Sequence, residues 1–302
     1  MPADVYPRRL SELSEVFEKQ IFFLCGVLKS GTTWLERLLD VHPEIVCKGE
    51  AHFASNFVRP LAELVNTYNQ EVSTKGAAIV HLKEYGGATD VLEYNDDDIA
   101  FLSIAAIGSM FTKWSTPDTR IIGDKTPRNL EDMHLLSQLF PSAKFVHLIR
   151  DGRDVAVSLW HFNLNTNISA TIQQWGTFEN FSHEFAEIWA NRVSAGRELG
   201  QSLGNRYHEV RYEDLLECAD TTLANVYSFL GAADTRELVG ENLKACSFKS
   251  LSGGRERGTE DASSFFRKGV ANDWKNHFSA PEREKFQAIA GDTLAACGYS
   301  LE

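Results

Sequence analysis

Short apolar runs alternate with amphipathic stretches along most of the chain. Five runs are predicted as strands, at residues 21–25, 45–48, 120–127 (a strand that runs into a polar turn), 144–149 and 207–210. Apolar residues at helical spacing predict helices at 32–41, 57–68, 96–114, 128–140, 155–162, 171–203, 221–230 and 280–296, and residues 8–18 form a short amphipathic helix or an arm. Because strands alternate with helices, the pattern predicts a three-layer α/β fold, with a central parallel β-sheet flanked by helices.

The segments between these elements contain neither a repeat nor a linker. A loop is predicted at 85–88, and the glycine- and charge-rich stretch at 252–259 is typical of a mobile loop. We therefore expect a single domain that spans residues 1–302.

Charge and composition narrow the possible partners. The 302 residues carry a net charge of −12, which argues against nucleic acid as a partner, and their 43% hydrophobic content is ample for a core. The five cysteines are scattered and the nine histidines show no metal-ligand spacing, so we expect neither a disulfide framework nor a metal. No apolar stretch reaches membrane-spanning length, and residues 1–20 are polar, unlike a secretory signal. We expect a cytoplasmic protein and leave its oligomeric state open.

The turn after the first predicted strand has the composition of a phosphate-binding loop. Lys29 lies between Gly26 and Gly31, and Thr32 and Thr33 begin the following helix. A glycine turn at a helix N-terminus presents backbone N–H groups to an anion, and the lysine adds a full charge. The spacing of the glycines matches a Walker A loop, but Thr32 stands where that motif has its lysine. The loop should bind a phosphate without the usual ATPase apparatus.

Two motifs resemble those of the sulfotransferases that use 3′-phosphoadenylyl sulfate (PAPS). The sequence Lys-Ser-Gly-Thr-Thr-Trp at 29–34 resembles their P-loop-like 5′-phosphosulfate-binding loop, and residues 145–162 resemble their 3′-phosphate-binding motif. By this resemblance Arg150 and Ser158 would hold the 3′-phosphate, since arginine offers a planar fork and serine a short hydrogen bond. The first motif would contribute Lys29, Ser30, Gly31, Thr32, Thr33 and Trp34 to the site.

A third motif lies near the C-terminus. Residues 267–269 (Arg-Lys-Gly) and 273–275 (Asp-Trp-Lys) resemble the segment that closes over the 3′-phosphate in the cytosolic enzymes, with Asn272 where those enzymes usually have glycine. Asparagine tolerates a left-handed backbone, so we expect the turn to be kept. The resemblance implies nucleotide contacts by Arg267, Lys268 and Gly269 and adenine contacts by Trp34, Tyr212 and Phe248.

The sequence differs from the cytosolic sulfotransferases at the position of the catalytic base, because the stretch Gly-Asp-Lys-Thr-Pro at 123–127 lacks their histidine. The stretch around Glu50 resembles instead the His-Pro…Lys-Glu-x-His-Phe pattern of glycosaminoglycan-modifying sulfotransferases, whose glutamate is the base. Gly49 is inserted relative to that pattern. The resemblance therefore implies Glu50 as base, with His52 in reserve, and Lys29 and Lys125 as cations that assist the transfer.

These motifs predict sulfuryl transfer from PAPS to a hydroxyl of a small-molecule acceptor. Two alternatives stay open, a nucleotide or metabolite kinase and a non-catalytic nucleotide-binding protein. We expect the acceptor pocket in residues 54–119 and 160–180, where aromatic side chains favour a partly apolar alcohol. These aromatic side chains are Phe57, Tyr85, Trp160, Phe162 and Trp175, together with Phe53, which directly precedes the first stretch.

Overall fold

The computed structural model describes residues 4–80 and 92–302, so the loop predicted at 85–88 and Tyr85 lie outside the described residues. The strands are β1 (Gln20–Gly26), β2 (Ile45–Lys48), β3 (Ile121–Lys125), β4 (Lys144–Ile149) and β5 (Tyr207–Arg211). The helices are α1 (Val5–Phe17), α2 (Thr32–Asp40), α3 (Arg59–Val80), α4 (Asp96–Trp114), α5 (Met133–Leu139), α6 (Gly152–Trp175), α7 (Phe178–Ser202), α8 (Tyr212–Glu217), α9 (Ala219–Leu230), α10 (Arg236–Ala245), α11 (Phe248–Leu251) and α12 (Ala280–Ala296).

Within the described residues the five strands form one parallel sheet, in the order β2-β3-β1-β4-β5. Side chains of β1 alternate between its two faces, as the strand period requires. Phe22 and Leu24 pack against Leu35 of α2 and Tyr227 of α9, and Phe23 packs on the opposite face. The three-layer α/β architecture predicted from the sequence is confirmed, because each face of the sheet carries its own helices and apolar core.

The carboxyl ends of all five strands lie at one edge of the sheet, where loops of parallel folds bind ligands. Five segments leave the sheet there: the turn at 27–31, the loop at 49–53, the turn at 126–127, the start of α6 after Arg150 and the start of α8 after Arg211. Since β1 pairs with β3 and β4 in register, these loops are neighbours in space although they are distant in sequence.

Several predicted helix boundaries were wrong. The helix predicted at 171–203 is interrupted, because Gly176 adopts φ 71° and Thr177 caps a new helix by accepting from the Asn180 N–H. The helix predicted at 155–162 is longer and begins at Gly152, where the Asp151 side chain caps it. The segment predicted as one helix at 128–140 begins as a 3₁₀ turn before α5, and α10 was not predicted.

The glycine-rich stretch at 252–259 is an irregular loop held against the C-terminal motif. Gly258 donates its N–H to the Lys268 carbonyl at 3.0 Å, and Arg255 donates to the carbonyls of Phe266 and Arg267. Asn272 adopts φ 62°, so the left-handed turn predicted for this asparagine is confirmed. Among the described residues, no helix combines the length and apolarity needed to cross a membrane.

Candidate active site

The phosphate loop joins the end of β1 to the start of α2. Lys29 and Gly31 both have left-handed backbones, with φ 72° and 103°, and Gly31 is the N-cap of α2. A Cβ at Gly31 would lie 2.6 Å from the ring of Tyr212, and a Cβ at Gly26 would lie 2.5 Å from the Leu148 carbonyl oxygen. The two glycines are therefore required by close packing on neighbouring elements.

A cavity that is partly open to solvent lies above this loop. Most of the site residues predicted from the sequence line it, namely Lys29, Gly31, Thr32, Thr33, Trp34, Glu50, Arg150, Ser158, Tyr212, Phe248, Arg267, Lys268 and Gly269. The other three lie beside it. Ser30 is only 1% exposed within the loop, Lys125 is buried behind Thr33 and Glu50, and His52 lies next to Glu50.

The ammonium of Lys29 lies between two aromatic rings. Its Nζ is 4.5 Å from the ring centroid of Phe162 and 4.0 Å from that of Phe265. Burial, and then repulsion by Arg150, lower the pKa of Lys29 to about 8, while Glu50 opposes the shift. The side chain is thus a poorly solvated cation, which an incoming anion would stabilise. Phe265 was not predicted, because its ring reaches the site only through the path of the C-terminal loop.

Arg150 connects two of the predicted phosphate motifs. Its guanidinium donates to the Lys29 carbonyl at 3.3 Å and to the Val270 carbonyl at 3.2 Å, and it lies 4.5 Å from the ring centroid of Tyr212. The Nε atom is buried and has no hydrogen-bond partner among the described residues. Ser158 follows two turns later on α6 and also faces the cavity. This buried cation therefore retains donor capacity for a ligand.

The C-terminal motif holds its two cations in ion pairs. Arg267 donates to Glu260 at 2.6 Å and to Asp273 at 2.5 Å, and Lys268 donates to Asp273 at 2.6 Å. Although burial opposes it, hydrogen bonds from Lys268, Arg267 and Asn276 hold the pKa of Asp273 well below its usual range. A phosphate at this position would compete with these carboxylates for the same donors.

Asp154 fixes this motif to α6. Its two carboxylate oxygens accept the backbone N–H groups of Asn272 at 2.7 Å and Trp274 at 2.8 Å, and the side chain is 1% exposed. The indole of Trp274 lies 3.9 Å from the guanidinium of Arg153. The segment is thus attached to the same helix that carries Ser158, so both phosphate motifs share one support.

An aromatic slot forms the other end of the cavity. Trp34 packs edge-on against Tyr212, with ring centroids 5.8 Å apart, and its Nε1 donates to the Cys246 carbonyl at 3.0 Å. Gly269, at φ 68°, lies so close to Phe248 that a Cβ would be 2.4 Å from the ring. Arg257 also lines the slot, and sequence reasoning missed it because the surrounding loop contains several charged residues. A flat, partly polar ring fits this environment.

Two carboxylates flank Lys125 at the other edge of the phosphate loop. Its Nζ lies 2.7 Å from Glu50, 3.2 Å from Glu36 and 3.5 Å from the Thr33 hydroxyl. The Glu50 side chain is 38% exposed and borders the cavity, with His52 Nε2 3.5 Å away. An acceptor hydroxyl in the cavity could therefore reach a carboxylate that is already paired with a cation.

The loop that carries Glu50 is held by β3. Asp124 accepts the Ala51 N–H at 3.2 Å, and the Thr126 hydroxyl accepts the His52 N–H at 3.3 Å. Burial raises the pKa of Asp124, which also accepts from Asn129. A Cβ at Gly49 would lie 2.0 Å from the Lys125 carbonyl oxygen, so the inserted glycine allows the two backbones to touch.

The aromatic residues expected at the acceptor pocket have different environments. Phe162 lines the cavity, as predicted. Phe53 is 6% exposed and packs against Phe111 and Trp114 in the core, so its assignment to the pocket was wrong. Trp160 and Trp175 contact Phe181 of α7 and stabilise the α6–α7 packing. The environments of these two rings are therefore typical of core packing and not of a ligand pocket.

Metal-ligating side chains are not grouped in the part of the chain that the structure describes. No set of three histidine, cysteine, aspartate or glutamate side chains there could hold a metal ion. That the reaction needs no metal stays a prediction.

Sequence comparison relates the chain to one protein family. The model of the sulfotransferase family matches residues 21–236. Sulfotransferase 1A1 of Canis lupus familiaris is 27% identical over 198 residues, which are 62% of this chain and 65% of that protein. Sulfotransferase 1E1 of Homo sapiens is 25% identical over 284 residues, 86% of this chain and 94% of that protein.

Similarity to solved structures extends over nearly the whole chain. Mouse sulfotransferase SULT7A1, complexed with PAP, superposes with a TM-score of 0.58 at 16% identity, covering 94% of this chain and 89% of that one. At this identity the likeness concerns the fold, whereas the family match rests on sequence. Because that match covers well over half of the chain, the protein belongs to the sulfotransferase family.

Proposed function

We propose that the protein transfers a sulfuryl group from PAPS to a hydroxyl of a small-molecule acceptor. The observation that carries the proposal is one cavity lined by the phosphate loop, by Arg150 and Ser158, and by residues 267–269. Three motifs that lie far apart in sequence thus contribute cations or N–H groups to the same space. The names of the relatives, and the PAP bound by the mouse protein, support the same donor nucleotide.

Each end of the cavity suits one part of the nucleotide. Arg150, Ser158, Arg267, Lys268 and Gly269 would hold the 3′-phosphate, and the unpartnered Nε of Arg150 fits that assignment. Trp34, Tyr212 and Phe248 would hold the adenine ring in the aromatic slot. The 5′-phosphosulfate would lie on residues 29–33, at the N-terminus of α2.

The transfer is an in-line displacement at sulfur. The acceptor oxygen forms a bond to sulfur as the bond from sulfur to the phosphate oxygen breaks, and the hydroxyl proton passes to the Glu50 carboxylate. A positioned base contributes roughly 10²–10⁴-fold. Lys29 and the loop N–H groups would stabilise the charge that develops on the leaving oxygen, and Lys125 would assist from the Glu50 side.

The acceptor is proposed to be a partly apolar alcohol. The cavity wall also includes Leu28, Pro127, Phe162 and Phe265, whose apolar side chains offer no hydrogen bonds. A partly apolar ring or chain would bury these surfaces, whereas a highly hydroxylated sugar would leave its polar groups unpaired. Cytoplasmic localisation and the exclusion of nucleic acid stay predictions from the sequence.

Calorimetry and an acceptor screen test the proposal together. Titration with adenosine 3′,5′-bisphosphate (PAP), the desulfated nucleotide, should show binding to the wild-type protein, and radiolabelled PAPS should label at least one alcohol. Glu50→Gln should lower kcat by about 10²-fold or more with nearly unchanged PAP affinity. His52→Gln is the matched variant. If it lowers kcat more than Glu50→Gln does, His52 is the base.

Three outcomes would favour other functions. An absence of PAP binding would overturn the assignment of the cavity. Turnover of ATP with magnesium would favour a metabolite kinase. PAP binding without transfer to any acceptor, and without any effect of Glu50→Gln, would favour a non-catalytic nucleotide-binding protein.

A further inference from the structure

Glu36 is a partly buried carboxylate beside the proposed reaction centre. It lies on α2, one turn after the phosphate loop, and its side chain is 12% exposed. Its carboxylate lies 3.2 Å from the Nζ of Lys125, and it is not part of the cavity wall. Burial raises the pKa of Glu36, while Lys125 opposes the shift. Removing a charged side chain from water costs free energy unless an oppositely charged partner compensates for it.

Lys125 has as many acceptors as it has N–H groups. An ammonium carries three N–H donors, and Glu50, Glu36 and Thr33 lie within 3.5 Å of this one. The side chain of Lys125 is only 5% exposed, so water cannot easily replace a missing partner. The direction of each N–H bond is therefore determined by the three acceptors together.

We propose that Glu36 is a positioning residue for sulfuryl transfer, holding the Lys125 ammonium against Thr33 and the Glu50 carboxylate. This inference rests on the proposed function. Because Lys125 forms ion pairs with both Glu36 and Glu50, it is not an exclusive partner of Glu50, the proposed base. The ammonium therefore remains directed at the edge of the phosphate loop.

The test compares Glu36→Gln with Glu44→Gln. Glu44 forms an ion pair with Arg120, next to the opposite end of β3, and it lies outside the site, which makes it a matched control. Glu36→Gln should lower kcat about tenfold at neutral pH, with PAP affinity and the KM for PAPS unchanged. Glu36→Asp should restore kcat toward the wild-type value because it keeps the charge. Glu44→Gln should leave kcat unchanged.

A second measurement does not depend on activity. In a stability cycle of Glu36→Gln and Lys125→Met, the effects of the two substitutions should be non-additive if the residues hold each other. An unchanged kcat in Glu36→Gln, a loss of kcat that Glu36→Asp does not restore, or additive effects on stability would overturn the inference. Failure of the wild-type protein to transfer sulfuryl groups would instead overturn the proposed function, and the stability cycle would still report on the pair.

Discussion

The aromatic contacts and the lowered pKa of Lys29 depend on the fold and could not be predicted from its motif alone. The glycine turn predicts a cation for phosphate, but the contact with Phe162 and Phe265 is visible only in the fold. The same enclosure lowers the pKa of Lys29 to about 8, so the free protein loses this charge in the alkaline range. A bound phosphosulfate would restore it, because an anion favours the protonated form.

The rate with PAPS should therefore depend on the protonation of Lys29. Since the ammonium is present below a pKa of about 8 and lost above it, kcat/KM for PAPS should fall as the pH rises through 8. Lys29→Arg should remove this alkaline limb, and Lys29→Ala should lower kcat/KM at pH 7 by about 10²–10³-fold. Lys285→Ala changes an exposed lysine and serves as control. A wild-type profile that stays flat to pH 9.5 would contradict the assignment.

Single residues also mark the limit of sequence reasoning at this site. Lys29, Arg150 and Ser158 were predicted because their motifs are local and contiguous. Glu36 and Arg257 were not, since their roles depend on which element packs against them. Gly49, which breaks the expected motif spacing, is explained only by its contact with the backbone of β3.

At the scale of elements, α6 supports both 3′-phosphate motifs. It carries Ser158 in its second turn, and Asp154 in its first turn holds the C-terminal segment through two backbone N–H groups. The buried strands could be predicted accurately because a short apolar run identifies them. The boundary of α6 could not, because the interruption by Gly176 is hidden in a continuous helical pattern of apolar residues.

Asp154→Asn should detach the C-terminal segment from α6. The amide supplies one acceptor oxygen where the carboxylate supplies two, so one N–H of the segment loses its partner, at a cost of about 1–3 kcal/mol. We expect PAP affinity to fall about tenfold or more by calorimetry. Asp132→Asn is the matched control, because Asp132 is also buried and ion-paired, but with Arg59. Equal loss of PAP affinity in both variants would show that the effect is general destabilisation.

At the scale of the whole molecule, the residues after the family match belong to the same core. The helix α12 packs along α7, and Trp274, Phe278 and Phe286 join Trp189 in one buried cluster. The same C-terminal part supplies the cations at 267–268 to the cavity. Site and core are thus built from both ends of the chain, which favours the single domain predicted from the sequence.

A single domain should unfold in a single cooperative transition, and bound nucleotide should raise the Tm of that whole transition. With PAP at about 100 times its Kd, linkage adds about 2.7 kcal/mol, which raises the Tm of a chain of this size by about 4 °C. Calorimetric and van't Hoff enthalpies should agree, and a truncation after residue 236 should not fold, because it removes the apolar partners of α7. Two transitions, of which PAP shifted only one, would instead mean that the C-terminal part is a separate unit that the nucleotide does not couple to the sheet.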